Sequence, residues 1–365
     1  MPSGKRIVVT GGSGQVGQHV IATLLAHGHD ILNLDLAPLP AHLSSRVHTL
    51  RTDLTDSGQV HSALTSRFHP TCPFDPAREP LNAIPDAVIH LAGYPRGMIV
   101  PDGEMYRTNT QSGYNVIEAA CRLGVKKILV ASTVCVYGPP YAEGAIDFPS
   151  FPVTEEVDAD PMDIYAISKV CVERTARGLA KRFAAFGVDV YVFRIAAVIE
   201  PGEYKRFFES WGADPVDHKA VGWSYTDARD FGKMCHLAVL KDGLGFQIFN
   251  ATNDEITVQT DLTSTQFLNK AAPGVPFTRE MGDDEAPLTN RKARELLGFE
   301  QDHSWRMNQS KVRRNQFLNV PGESPSPSPY SPIGLSTTKL PCSRINANIH
   351  RSIRNDSSID RLHAL

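Results

Sequence analysis

Tyr165 and Lys169 stand four residues apart in "YAISK", within a stretch whose apolar spacing predicts a helix through residues 167–183, so both side chains share one helix face. A tyrosine hydroxyl titrates near pH ~10 and is a poor base at neutral pH; an ammonium beside it favours the phenolate and would bring that value down. The spacing suits proton transfer, and of the ten tyrosines Tyr165 alone has a lysine four residues on. Upstream, the apolar run "KKILVAS" leads to Ser132 and Thr133. Their hydroxyls would sit at the carboxyl edge of a sheet, where α/β proteins bind ligands.

A second chemistry stands at the start of the chain. "TGGSGQVG", Thr10 to Gly17, can be read as Gly12, Gly14, Gly17 or as Gly11, Gly14, Gly17. In either register, glycines before a helix N-terminus let backbone N–H groups approach a pyrophosphate at the positive end of the helix dipole. A strand at residues 7–10 and a helix at residues 18–27 flank the loop, which makes it a dinucleotide site. Asp35 closes the next strand, where a carboxylate accepts hydrogen bonds from the adenosine ribose and repels a 2′-phosphate, so NAD is favoured over NADP. Asp53 and Leu54, past the third strand, are placed to meet the adenine, although such an Asp also serves as a turn cap.

Both sites need a sheet to hold them. Strand-like runs at residues 7–10, 31–34, 47–50, 87–91, 127–131 and 188–195 alternate with helical patterns such as 112–122 and 167–183. Near-continuous apolar strands between helices predict a doubly wound parallel α/β sheet of the Rossmann type. Residues 1–200 are expected to form the dinucleotide-binding domain, with its last strand returning near 246–250, and residues 201–318 mainly a small substrate-binding region. The proline-rich stretch 69–85 reads as a surface insertion. Residues 319–365, opening on "PGESPSPSPYSP", read as a disordered tail.

Composition excludes other classes. Of 365 residues, 41% are hydrophobic and 21% charged, with a formal net charge of -3. No global basic field draws nucleic acid or membrane. Six scattered cysteines form no C-x-x-C pair or zinc spacing, and no run reaches the length of a membrane helix or begins as a signal peptide. The expectation is a cytoplasmic protein with a small-molecule partner and no metal. Cys135, beside Thr133, reads as an inert buried thiol.

In order, "TGGSGQVG", "DLTD", "HLAG", Asn109, "ASTVCVYG" and "YAISK" resemble the extended short-chain dehydrogenase/reductase family, the NAD-dependent epimerase/dehydratase group, over about Lys5 to Trp305. The resemblance implies the register Gly11, Gly14, Gly17, with Gln15 and Val16 beside the cofactor. It implies that Tyr165 is the general acid/base, that Lys169 binds the nicotinamide ribose and depresses the tyrosine pKa, and that Thr133 hydrogen-bonds the reacting oxygen. Leu91, Ala92 and Gly93 would line the cofactor and Asn109 would brace the site. Hydride exchange with a substrate carbon, and homodimerisation through two long helices, follow from the same resemblance.

The substrate side is less defined. Only about 30 residues separate Arg194 from Tyr225, whereas nucleotide-sugar epimerases carry a longer segment here. Within it "YKRFFESW" is similar to the substrate loop of uronate dehydrogenases, placing Arg206 at a sugar carboxylate, an anion that a guanidinium fork matches. The chain departs from those enzymes in having Val134 and Cys135 where they carry an Asn-His pair. Arg96, after "HLAG", is a second anion candidate. In "SYTDARDFGKM", Asp227 or Asp230 is expected to cap a helix. The leading expectation is an NAD-dependent oxidoreductase acting on a small hydroxyl or carbonyl compound, such as a sugar or sugar acid. A nucleotide-sugar epimerase or dehydratase with tightly held NAD, and a non-catalytic NAD(P)-binding sensor, are the alternatives.

Overall fold

The computed structural model describes residues 4–69, 84–144, 146–211 and 218–306. The tail expected at 319–365, and the expected insertion apart from His69, Ile84 and Pro85, lie outside the described residues.

The strands are β1 (Arg6–Thr10), β2 (Asp30–Asp35), β3 (His48–Arg51), β4 (Ala87–His90), β5 (Lys127–Thr133), β6 (Asp189–Ile195), β7 (Ala197–Ile199), β8 (Tyr225–Asp227) and β9 (Phe246–Ala251). The helices are α1 (Gln15–Ala26), α2 (Ala41–Ser44), α3 (Ser57–Leu64), α4 (Asp102–Leu123), α5 (Ile164–Arg182), α6 (Tyr204–Trp211), α7 (Ala228–Leu240), α8 (Ser264–Ala271) and α9 (Arg291–Leu297). Seven strands form one parallel sheet in the order β3-β2-β1-β4-β5-β6-β9. The direction of strand succession reverses between β1 and β4, and the carboxyl ends of such neighbouring strands are where sheets of this kind hold ligands.

Alternating strand residues feed two cores. Ile7, Val9, Ile31 and Ile89 pack with Val20, Leu24, Phe231 and Met234 of α1 and α7. Val8, Leu32, Val88 and Ile128 pack with Val60, Val116, Val172 and Ala176 of α3, α4 and α5. A sheet buried on both faces needs apolar side chains on both, which is why its strands read as apolar runs. Helix α4 begins ten residues before the expected 112, because its first half, "DGEMYRTNTQ", carries little apolar periodicity. Asp102 and Glu104 in its first turn suit the helix dipole, and Gly124 ends it in the left-handed conformation at φ 86°.

A third core joins Tyr137, Phe148, Phe151 and Val153 to Trp223, Ile256, Phe267 and Leu288. It draws on the loop before α5 as well as on residues beyond 200, while α7 and β9 return to the main sheet. Asp227 caps α7, its carboxylate accepting from the N–H groups of Arg229 and Asp230.

Candidate active site

The two glycine registers are both built into the loop after β1. Gly11 has φ +72°, and a Cβ on it would lie 2.6 Å from the Ala92 nitrogen. On Gly12 a Cβ would meet Asn33 Oδ1 at 2.4 Å, and on Gly17 the Gly11 carbonyl oxygen at 2.3 Å. The chain's own packing therefore requires three glycines. Gly14 differs: its Cβ would meet only the Gly11 carbonyl oxygen, at 3.3 Å. Gly14 is the N-cap of α1, which has no side-chain cap and no acidic residue in its first turn. The first turn of α1, at Gln15, Val16 and Gly17, is therefore not capped by a side chain, and its N–H groups lie at the positive end of the helix dipole.

Asp35 stands beside this loop. Its Oδ2 accepts from the Ser13 N–H at 3.0 Å and its Oδ1 from the Ala37 N–H at 3.0 Å. Asp53 is a turn residue here: Oδ1 accepts from the Thr55 N–H and hydroxyl at 2.9 and 2.7 Å. The buried Leu54 is anchored by its carbonyl, which accepts from Asn115 Nδ2 at 2.9 Å.

Next to β1, β4 ends at His90 and passes into Leu91, Ala92 and Gly93. The Thr10 hydroxyl and His90 Nδ1 are 2.8 Å apart, and burial, followed by the nearby Lys169 charge, pushes His90 down to about 3, so it is neutral. Gly93 has φ +143°, and a Cβ there would lie 2.8 Å from Asn109 Oδ1 and 3.8 Å from Lys169 Nζ. Asn109 is buried. It accepts from the Tyr94 N–H at 2.8 Å and donates to the Ser168 hydroxyl at 3.1 Å. It thereby joins the β4 loop to the helix bearing Tyr165 and Lys169.

Tyr165, Lys169 and Thr133 are all buried, at 6%, 7% and 5% exposure. Asp163 starts α5 by accepting from the Ala166 N–H at 2.9 Å. Lys169 Nζ donates to the Ala131 carbonyl at 3.1 Å. Burial pulls its pKa down to about 8, opposed by the Glu173 charge one turn further on. Thr133 Oγ1 accepts from the Cys135 N–H at 3.2 Å, and the Thr133 side chain is near enough to favour the Tyr165 phenolate.

The depressed tyrosine pKa expected from Lys169 is not found in the chain alone. Burial, then Cys135, push the Tyr165 phenol up, and the nearby Thr133 side chain offsets only part of this. Lys169 directs its proton at a backbone carbonyl instead. Cys135 is half-buried rather than fully buried as expected, and desolvation pushes its thiol up to about 12.

The two anion candidates part company. Arg206 is exposed on α6 and pairs with Glu203 at 2.8 Å, while the other Glu203 oxygen accepts from Gln15 Nε2 at 3.2 Å. This sets Arg206 beside α1, and among the described residues no hydrogen bond or ion pair joins it to Tyr165, Lys169 or Thr133. Exposed Arg96 is in reach of Tyr141, whose phenol it lowers against the stronger effects of burial and Cys135. The Tyr141 ring meets that of Tyr165 edge-on at 6.4 Å. Tyr141, at φ 61°, carries no sequence signal. Gly12 stood in the register set aside, and Glu173 could have been found from its helical spacing to Lys169.

A family model described as "NAD dependent epimerase/dehydratase family" matches residues 7–231. The chain belongs to the NAD-dependent epimerase/dehydratase family. A UDP-glucose 4-epimerase of Azospirillum brasilense is 26% identical over 218 residues, covering 58% of this chain and 51% of that protein. The chain spans about half the length of the curated relatives it matches. Among solved structures, a short-chain dehydrogenase/reductase superfamily protein of Agrobacterium tumefaciens with bound NAD has a TM-score of 0.58 at 20% identity, covering 86% of this chain and 98% of that one. A mutated uronate dehydrogenase has a TM-score of 0.54 at 18% identity, covering 85% and 86%. At these identities the structural likeness is one of fold.

Proposed function

We propose that the protein is an NAD-dependent oxidoreductase whose Tyr165 exchanges a proton with a hydroxyl or carbonyl group of a small, carbohydrate-like substrate. The observation that carries this reading is the buried trio itself. Tyr165 lies beside Thr133, and one turn on is a lysine that, among the described residues, donates to the Ala131 carbonyl alone, all at the carboxyl end of β5 beside Gly93. The open first turn of α1 and the carboxylate of Asp35 fit a dinucleotide with free ribose hydroxyls.

NAD supplies hydride exchange when bound. Gly11, Gly14, Gln15, Val16 and Gly17 would hold its pyrophosphate, Asp35 its adenosine ribose, and Leu91, Ala92 and Gly93 its path across the sheet. Lys169 has donors left over for a ribose hydroxyl, and Asn109 keeps Gly93 and α5 in register. Thr133 orients the substrate oxygen, and Tyr165 holds or takes its proton. Arg96 faces the same region and is the better placed arginine for a substrate anion; Arg206 belongs with the α1 side. A homodimer through α4 and α5 remains part of this reading by family likeness.

The test is incubation with NAD and a panel of aldoses and sugar acids, following NADH, alongside NAD and UDP-glucose, following conversion to UDP-galactose. NADH accumulation with a small sugar supports the proposal. UDP-glucose conversion without net NADH favours the epimerase reading, to which the UDP-glucose 4-epimerase relatives point. NAD binding without either conversion would favour the sensor.

A further inference from the structure

Apart from the candidate site, the seam between α1 and α7 holds three histidines in mutual contact. The two helices approach closely: a Cβ on Gly232 of α7 would lie 2.4 Å from Thr23 Oγ1 of α1. One turn on, the ring of half-buried His236 stacks on that of exposed His27, with centroids 3.7 Å apart and planes 22° apart. His27 Nδ1 donates to the Thr23 carbonyl at 2.8 Å. His236 Nδ1 also lies 3.1 Å from Nε2 of His29, the buried residue that leads into β2.

The hydrogen bonds decide which nitrogens carry protons. A backbone N–H can only donate, and the Lys5 N–H meets His29 Nδ1 at 3.1 Å. His29 Nδ1 is therefore bare, and its proton sits on Nε2, which donates to His236 Nδ1. His236 Nδ1 is then bare as well. In both rings the nitrogen that would take a second proton is already accepting a hydrogen bond. A proton on His29 Nδ1 would confront the Lys5 N–H, and one on His236 Nδ1 would confront the His29 N–H. Either event replaces a hydrogen bond by two opposed donors, a costly exchange away from water.

The charges around the trio do not offset this. Burial, followed by His27 and Lys5, lowers the His29 pKa against a smaller opposite effect of Asp86. Burial, then His27 and His29, brings His236 down to about 4. Asp86, before β4, accepts from the Arg6 N–H at 2.8 Å, and Asp30, at the start of β2, pairs with His69 at 3.0 Å. Lys5 Nζ donates to the Val239 carbonyl of α7 at 3.1 Å, and Lys233 of α7 pairs with Asp302 at 2.8 Å.

We propose that this trio is an acid-sensitive lock: while neutral, the relay from Lys5 through His29 to His236 ties the turn before β2 to α7, and proton uptake breaks it and loosens α1 from α7. The lock stands independently of any chemistry at Tyr165 and Lys169. Both rings gain protons less readily in the folded chain than a free histidine, which titrates near pH ~6.5. The unfolded chain therefore takes up protons first as pH falls, and stability is lost from about 6.5 downwards towards about 4.

The experiment follows thermal unfolding of the full chain at pH 7 and at pH 5 for the natural protein, His236→Asn and His29→Asn. Asparagine keeps an acceptor oxygen near the place of Nδ1 and cannot gain a proton. Between the two pH values the natural protein should lose about 4 °C more in Tm than His236→Asn, and His29→Asn should also be less acid-sensitive. The buried His90 is present in all three and cancels. Parallel behaviour, with each variant offset equally at both pH values, would make the histidines mere packing and overturns the proposal. Should a variant fail to fold, the ring nitrogen shifts of the natural protein, assigned through bonds to each Cβ, decide the matter. His29 and His236 should each carry the proton on Nε2 at pH 7 and remain neutral well below pH ~6.5. An Nδ1 proton on either neutral ring, or titration of both near that value, overturns the lock.

Discussion

The two ends of β5 each carry a buried lysine nearby, and the two are provided for in opposite ways. At the amino end, Lys127 donates to Asp189 Oδ2 at 2.9 Å, to the Tyr191 hydroxyl at 3.0 Å and to the Lys241 carbonyl, with Asp242 Oδ1 at 3.1 Å. Burial pushes Asp189 up, yet hydrogen bonds from Lys127, Gly243 and Gly245 outweigh it and hold the carboxyl below its usual range. At the carboxyl end, Lys169 has the Ala131 carbonyl and a carboxylate one turn away, and burial brings it down to about 8. An ammonium has three donors, and leaving them unpaired in a dry place is costly. Lys127 has its full set and is a structural pin; in the proposed reading, the remaining donors of Lys169 are the ones a ligand would take.

That contrast breaks first if chemistry and stability fail to separate between the two ends. Tyr165→Phe should lower turnover by about 10²–10⁴-fold, the range for losing a general acid/base, with thermal unfolding little changed. An assay in which it retains near-full activity removes Tyr165 from the chemistry. Lys127→Met strands Asp189 without its main partner and should cost about 3–5 kcal/mol in denaturant unfolding, the range for breaking a buried ion pair. A loss within the range of a surface substitution would mean that Asp242 and solvent already carry that cluster.

A smaller effect sharpens the substrate side. With a substrate that bears a carboxylate, Arg96→Ala should raise KM by about tenfold, and Arg206→Ala, on its exposed pair with Glu203, by much less. Steady-state kinetics of the two variants decide the matter, and the reverse order would return the anion to α6.

How far these features could be read from sequence follows the same division. β1 to α1, β4 and β5 were legible because a buried parallel strand is an apolar run, and because Gly11, Gly14 and Gly17 mark the tight turn from β1 into α1. The first half of α4 was hidden by its polar surface. The third core was hidden for a different reason: Phe148, Phe151 and Val153 meet Trp223 and Leu288 across long stretches of chain, and no local period records that. In the candidate site, the four-residue spacing put Tyr165 and Lys169 on one helix face, where both are buried, but did not show where the lysine proton points. Arg206 drew attention by its neighbours in sequence, whereas its partner Glu203, three residues away, decides its position.

The reserve of donors on Lys169 is tested most directly by thermal unfolding of the natural protein and of Lys169→Met, each with and without saturating NAD. Without NAD, Lys169→Met should be the more stable at pH 7, because the natural lysine is charged and poorly paired there. That advantage should shrink as pH rises from about 8 towards the unfolded-state value of about 10.4, as the folded lysine loses its proton first. With NAD, the natural protein should gain several degrees and Lys169→Met much less, since only a bound ligand's contact with the ammonium is lost. An equal NAD-induced shift in both proteins would contradict the account, for Lys169 would then be a buried cation with no ligand to meet.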